Sequence, residues 1–221
     1  MTTQTAVAPT LSSPATRTRA AILFVTLAVT SVLAVLLTAL WPGSAGDWYT
    51  YADIAPDRDR WFAVVTVMAV AFVPAVTAQA LAAMMLVRAR GAGWATTGGV
   101  MMFAGAALQA TGMAGWATLY YFATGPALDP ATGEAFVSRI GAHGLLFVAA
   151  TPGAMLVALG TAAQAVGLWR SRAVPRWVPI VSLAILPTFF VPTESIGGVL
   201  SQVALGTSAV ALGWYAWRRA A

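Results

Sequence analysis

Long apolar stretches alternate with short polar ones from residue 20 to the end of the chain. The six apolar segments are bounded by charged residues, glycine or proline and cover residues 21–41, 61–87, 94–124, 140–169, 177–192 and 195–217. A helix needs roughly 20 residues to cross the hydrocarbon core of a bilayer. Segment 177–192 is shorter than this, and the other five reach it. The pattern predicts an all-α bundle of six transmembrane helices.

The first 19 residues differ from the rest of the chain. They are rich in Thr, Ala, Pro and Ser without apolar periodicity, so we expect a disordered cytoplasmic tail at 1–19 and a transmembrane domain at 20–221. The first apolar segment also resembles a signal peptide, because Gly43, Ser44 and Ala45 are similar to a cleavage site. Its apolar run is longer than the usual 7–15 residues of a signal peptide, so we expect a retained span.

The charges indicate how the segments are oriented. With six spans, nine of the twelve basic residues, all arginine, fall on one side of the membrane, and all seven acidic residues fall on the other. The positive-inside rule then places both termini in the cytoplasm. The composition agrees with a membrane protein, because only 9% of the residues are charged against about 25% in soluble domains. We expect a multi-pass protein of the inner (plasma) membrane, surrounded by membrane lipid.

Composition also narrows the chemistry. The chain has no cysteine, no lysine and one histidine, which excludes disulfides, thiolate nucleophiles and Schiff bases. No metal-ligand spacing or phosphate-binding loop is present, so we predict no metal and no cofactor. The basic isoelectric point follows from the cytoplasmic arginines, and no nucleic-acid partner is expected. The abundance of Ala, Gly and Val, with arginine as the only basic residue type, is typical of a GC-rich bacterial genome.

Glutamine is the main polar residue inside the predicted spans. Gln79, Gln109, Gln164 and Gln202 lie on four different segments. Interhelical hydrogen bonding is the simpler interpretation, because amides and small residues pack helices together in membranes. The alternative is a polar-lined cavity that holds an amphipathic ligand. Under that alternative, the predicted substrate-binding residues are Gln109, Trp116, Tyr120, Tyr121 and Gln202.

One carboxylate interrupts the apolar C-terminal region. Glu194 is the only charge between Trp177 and Trp217, and an ionisable residue at membrane depth is by default a candidate functional group. His143 and Asp53 are expected on the same side of the membrane, and these three residues form the predicted catalytic set. The structural alternative is that Glu194 caps a helix or pairs with Arg139.

The C-terminal third resembles a known family. The stretches "LWRSRAVPRWVPIVSLA", "VPTES" and "ALGWYAWRR" are similar to those of a family of small bacterial six-helix membrane proteins whose function is not defined. That resemblance implies the six-helix fold and brings no catalytic residues. The integral-membrane terpene cyclases, which use helix-borne carboxylates to protonate an isoprenoid, offer a looser analogy.

These features lead to three hypotheses for function. The first is a membrane enzyme that acts on an isoprenoid or lipid substrate by carboxylate general acid/base catalysis. The second is a non-catalytic membrane scaffold or regulator, and the third is a solute-binding or transport component. A packed interior would favour the scaffold, and polar layers that run through the bundle would favour transport.

Overall fold

The computed structural model describes residues 13–41, 49–143, 147–189 and 195–221. This part of the chain is helical, without strands, which confirms the all-α prediction. The helices are α1 (Pro14–Ala39), α2 (Tyr51–Ile54), α3 (Arg58–Leu86), α4 (Ala92–Ala123), α5 (Pro130–His143), α6 (Phe147–Ser171), α7 (Trp177–Ser182) and α8 (Ile196–Ala220).

Four helical stretches are long and apolar enough to cross a membrane. They are α1, the run Tyr51–Leu86, residues Val148–Ser171 and α8. Helix α4 has the necessary length, at 32 residues, but it is not among these four. The prediction of transmembrane helices is confirmed at this level, and the count of six spans stays a prediction.

The first helix begins earlier than the sequence pattern indicates. Ser13 is its N-cap and accepts a hydrogen bond from the Thr16 backbone N–H, and Pro14 occupies the first helical position. Both residue types favour a helix start. Residues 14–19, which we predicted to be disordered, are therefore helical, and the rest of the predicted tail, residues 1–12, lies outside the described residues.

One predicted span is interrupted within the described residues. Segment 177–192 begins as α7, which has six residues, and continues as short 3-10 turns at Leu183–Ile185 and Pro187–Phe189. Proline at 187 has no backbone N–H to continue an α-helix, which accounts for the tighter turns. In segment 140–169, α5 is described as far as His143 and α6 from Phe147 onward, and residues 144–146 lie outside the described residues.

Helices α4 and α6 form the closest pair, and glycine lies along their whole interface. A methyl group on Gly105 would lie 2.6 Å from the carbonyl oxygen of Gly153, and one on Gly160 would lie 2.6 Å from that of Gly98. Only hydrogen fits at such distances, so the two backbones touch. We call this interface the glycine seam, and its members are Gly91, Gly98, Gly105 and Gly112 with Gly153, Gly160 and Gly167.

The two ends of the bundle carry opposite charges. At the arginine end, Arg17 donates to the Ala220 carbonyl (3.1 Å), and Arg219 donates to the carbonyls of Ala173 (2.8 Å) and Leu86 (3.4 Å). The start of α1 and the ends of α3 and α8 therefore meet there. Helices α2 and α5 lie at the opposite, acidic end, which carries Asp53, Asp57, Asp59, Asp129 and Glu134.

Candidate functional site

A central cavity lies between α1, α3, α4, α6, α8 and the 3-10 turns after α7. Its larger part has a volume of about 350 Å³, and a smaller part of about 120 Å³ adjoins it. Thr30, Ala34, Phe72 and Gln202 line both parts. We treat the two parts together as the central cavity.

The cavity walls follow from helical periodicity. Helix α1 contributes residues three or four positions apart, and so does α3, which places each set on one helix face. The α1 set is Leu27, Thr30, Ser31, Ala34, Leu37, Thr38 and Trp41. The α3 set is Met68, Ala71, Phe72, Ala75, Val76 and Gln79. Small and apolar side chains dominate both faces, which leaves room between the helices.

Three of the four glutamines line this cavity. Gln109 lies in the larger part, Gln79 in the smaller part, and Gln202 borders both. The three side chains are partly buried, and within the described chain their amides make no hydrogen bond. Thr38 is only 2% exposed, and its hydroxyl likewise has no partner among the described residues. The cavity thus combines apolar walls with several unpaired polar groups.

Gln164 has a different environment from the other three glutamines. It is 2% exposed, and its Nε2 donates to the carbonyls of Ala80 (3.1 Å) and Ala95 (3.3 Å). These bonds join α6 to both α3 and α4. The two interpretations of the glutamines therefore apply to different residues: Gln164 packs helices together, and Gln79, Gln109 and Gln202 line a cavity.

An aromatic cluster borders the cavity toward the acidic end. Trp116 lies 5.0 Å from Trp61 and 5.7 Å from Tyr120, measured between ring centroids. Trp41 stacks on Trp116 at 6.3 Å, donates to the Tyr49 hydroxyl at 2.7 Å, and also lines the cavity. Two predicted substrate-binding residues, Trp116 and Tyr120, thus belong to a cluster that reaches the cavity through Trp41.

Tyr121 lies apart from this cluster. Its hydroxyl accepts a hydrogen bond from Arg58 at 3.2 Å, and the same guanidinium lies 4.4 Å above its ring centroid. The Phe62 ring packs against the Tyr121 ring at a centroid distance of 4.7 Å. These partners place Tyr121 on the α3 side of the acidic end, away from Gln109 and Gln202.

The predicted catalytic set is only partly described. Asp53 forms a capping box at the start of α2, where its Oδ2 accepts from the Thr50 N–H and the Thr50 hydroxyl, each at 2.8 Å. Glu194 and the side chain of His143 lie outside the described residues. The catalytic roles of these three residues stay predictions. Within the described ranges, no three histidine or carboxylate side chains converge as metal ligands.

A packed apolar cluster lies below the cavity, toward the arginine end. Leu27 and Ala209 belong both to the cavity wall and to this cluster. Leu86, Val178 and Leu212, each at most 4% exposed, lie in the same cluster. The polar lining of the cavity therefore does not continue to the arginine end.

Sequence reasoning missed two features of this region. Glycines 91, 98, 105 and 112 and glycines 153, 160 and 167 recur every seven residues, a spacing that places each set on one helix face and could have predicted the seam. Thr38 carried no such signal, because threonine in a helix usually bonds to its own preceding turn. Its unpaired hydroxyl depends on the surrounding helices.

Comparison with protein-family models, with curated proteins and with solved structures finds no match for this chain.

Proposed function

We propose that this protein is an integral membrane protein that binds a neutral lipophilic molecule, an isoprenoid or a lipid-derived compound, in the central cavity. The unpaired amides of Gln109 and Gln202 and the buried hydroxyl of Thr38 carry this proposal. A polar group without a partner in a hydrocarbon environment costs several kcal/mol. A ligand with its own hydrogen-bonding group would remove that cost.

The character of the walls favours this ligand class. The volume of about 350 Å³ falls within the range of about 300–1,000 Å³ that is typical of small-molecule sites. Among the described wall residues none is charged, so these residues offer the ligand hydrogen bonds rather than a counter-ion. Amides both donate and accept hydrogen bonds, which suits a hydroxyl or carbonyl group on an otherwise apolar molecule.

The membrane arrangement that we propose is six crossings, with both termini in the cytoplasm, in the inner membrane of a bacterium. The meeting of the start of α1 with the end of α8 supports an even number of crossings. The arginines at that end support its cytoplasmic placement under the positive-inside rule. The length of α4, which lies along α6, supports counting it as a span.

The cavity distinguishes this proposal from the alternatives. A scaffold needs no internal cavity lined by polar groups without partners. A transport path needs polar groups that continue to both ends, whereas the apolar cluster of Leu27, Val178 and Leu212 lies between the cavity and the arginine end. Ligand binding is the function that both observations favour.

Catalysis on the bound molecule is a second candidate, and the chain connectivity around Glu194 favours it. Thr188 and Gln202 both line the cavity, and residues 190–194 join the turn of Thr188 to α8, which bears Gln202. We propose that Glu194 acts on the bound isoprenoid or lipid as a general acid or base. His143 or Asp53 would assist, as predicted from the sequence.

Native mass spectrometry of the purified protein tests the binding proposal. We expect one discrete lipophilic molecule to remain bound to the wild type and to be lost from Gln202→Leu, because the leucine removes an amide from the wall. Thr207→Leu is the matched control, since Thr207 lies on the exposed side of the same helix. Detection of bulk phospholipid alone in all three proteins would overturn the proposal.

The catalytic candidate is tested separately with Glu194→Gln. We expect this variant to keep the bound molecule, expression and thermal stability near those of the wild type while it loses any conversion of the molecule to a product of different mass. Loss of expression or a strongly lowered melting temperature would instead identify Glu194 as a structural cap. Unchanged conversion would exclude acid/base catalysis by this residue.

A further inference from the structure

A second cavity lies at the arginine end, separate from the central one. Its volume is about 590 Å³, and it lies between the start of α1, the end of α3, the turn after α6 and the end of α8. Three arginines line it, Arg88, Arg90 and Arg219, together with the hydroxyl-bearing residues Thr16 and Ser171. The apolar cluster of Leu86, Ala173 and Ala216 forms its inner wall.

The three arginines differ in how many hydrogen bonds they make to the protein. Arg219 donates to the carbonyls of Ala173 and Leu86, which fixes its guanidinium at the cavity wall. A guanidinium has five N–H donors, so Arg219 keeps others available after these two bonds. Arg90 makes no hydrogen bond or ion pair with any described residue, and Arg88 donates only to the Met85 carbonyl at 3.3 Å.

No described acidic side chain lies beside these arginines. All of the described acidic residues lie at the opposite end of the bundle, on α2, α3 and α5 or in the turns beside them. Three guanidinium groups that share one cavity repel one another unless an anion lies between them. Planar guanidinium forks bind phosphate oxygens well, and often in pairs.

The cavity also lies at the depth where lipid headgroups are expected. Four exposed tryptophans surround the same end, and tryptophan concentrates at the boundary between hydrocarbon and headgroups. They are Trp94, Trp169, Trp177 and Trp214. Basic pockets between transmembrane helices at this level bind anionic headgroups.

We propose that the cavity at the arginine end binds a phosphate-bearing anion, held by Arg88, Arg90 and Arg219. The phosphate belongs either to the headgroup of an anionic phospholipid or to a small soluble phosphate. This inference is independent of the central cavity, because the apolar cluster separates the two.

Lipid binding in nanodiscs provides the test. Native mass spectrometry of protein released from nanodiscs that contain equal amounts of phosphatidylglycerol and phosphatidylcholine counts the lipids retained. We expect the wild type to retain phosphatidylglycerol preferentially, and Arg88→Gln/Arg90→Gln to lower that preference by roughly tenfold or more, since each arginine near an anionic surface contributes about a fivefold effect. The preference of the wild type should also fall as salt is raised.

The control variant is Arg170→Gln/Arg218→Gln, which removes two arginines from the same end without touching the cavity. A second arm measures the melting temperature in lipid-free detergent with added inorganic phosphate or with glycerol phosphate. A melting temperature that rises with phosphate in the wild type but not in the cavity variant, without a phosphatidylglycerol preference, would support the site and assign it to a soluble phosphate.

Two outcomes overturn the proposal. One is equal retention of the two lipids by the wild type with no stabilisation by phosphate. The other is an equal loss of preference in the control and cavity variants, which would indicate a diffuse surface charge. Arg90→Gln alone keeps the test valid if the double variant fails to fold, because the exposed Arg90 side chain has no bond to lose.

Discussion

The glycine seam and the central cavity contain the same kinds of residue, but the seam is tightly packed and the cavity is open. Both are built from small residues and glutamine. In the seam, small residues on α4 face small residues on α6, so that a methyl group on Gly105 would lie 2.6 Å from the Gly153 carbonyl oxygen. In the cavity, Ala34 and Ala75 border open space. Residue type alone therefore does not separate packing from binding in this bundle, and the facing residue decides.

The glutamines show the same difference between packing and binding within a single residue type. Gln164 next to the seam donates to two carbonyls of neighbouring helices, while Gln202 in the cavity has no partner among the described residues. One amide contributes stability and the other stays available to a ligand. Substitutions at matched positions can test this division directly.

We expect the largest effect from Gly98→Ala. The added methyl group would clash with the Gly160 carbonyl oxygen, and overpacking of this kind costs about 1–3 kcal/mol or more. The free energy of unfolding in mixed detergent micelles measures this loss. Gly115→Ala on the same helix is the control, since nothing lies within 4 Å of its position; equal losses in both variants would remove the distinction between seam and surface.

A smaller loss is expected from Gln164→Leu. This change removes two interhelical hydrogen bonds, each contributing roughly 0.6–2 kcal/mol in membrane proteins. It also removes a carbonyl oxygen that is buried without a partner among the described residues, which offsets part of the loss. Gln202→Leu should not lower the free energy of unfolding of the ligand-free protein, because its amide has no described partner to lose and an unpaired amide in a hydrocarbon environment is itself unfavourable. If Gln202→Leu destabilised the protein as much as Gln164→Leu does, Gln202 would be a packing residue and the comparison would break.

The smallest effect, and of opposite sign, is expected from Ala75→Leu. Ala75 borders both parts of the cavity, and filling a cavity commonly stabilises a protein by about 0.5–2 kcal/mol. The same change should displace the bound lipophilic molecule in native mass spectrometry. Ala63→Leu on the exposed side of α3 serves as the control. A loss of stability at Ala75 with the ligand retained would show that the cavity is already filled by protein.

The sequence predicted the helical class because apolar length is a property of each segment alone. It did not predict the interruption at Leu183–Ile185. The residues of 177–192 are almost all apolar, and apolar length alone does not show where Pro187 ends the helix. The helical start at Pro14 was readable from Ser13 and Pro14, since cap and first-turn preferences are local. Boundaries set by single residues were thus harder to predict than the spans themselves.

For the site, the sequence identified residues but not their groupings. Gln109 and Gln202 were predicted together and do line one cavity, because both face the bundle interior. Tyr121 was grouped with Tyr120, yet adjacent positions on a helix point about 100° apart, and Tyr121 contacts Arg58 instead. Which glutamine finds a partner depends on the neighbouring backbone, and no pattern within one segment encodes that.

The seven-residue repeat of the seam has a consequence for how α4 and α6 assemble. In the native register, Gly91, Gly98 and Gly105 face Gly167, Gly160 and Gly153. A slip of one repeat, roughly 10 Å along the helix axis, would pair Gly98, Gly105 and Gly112 with the same three glycines. The glycines of the seam therefore match in both registers and do not by themselves select the native one. Gln164 selects the native register, because its amide reaches the Ala80 and Ala95 carbonyls only in that alignment.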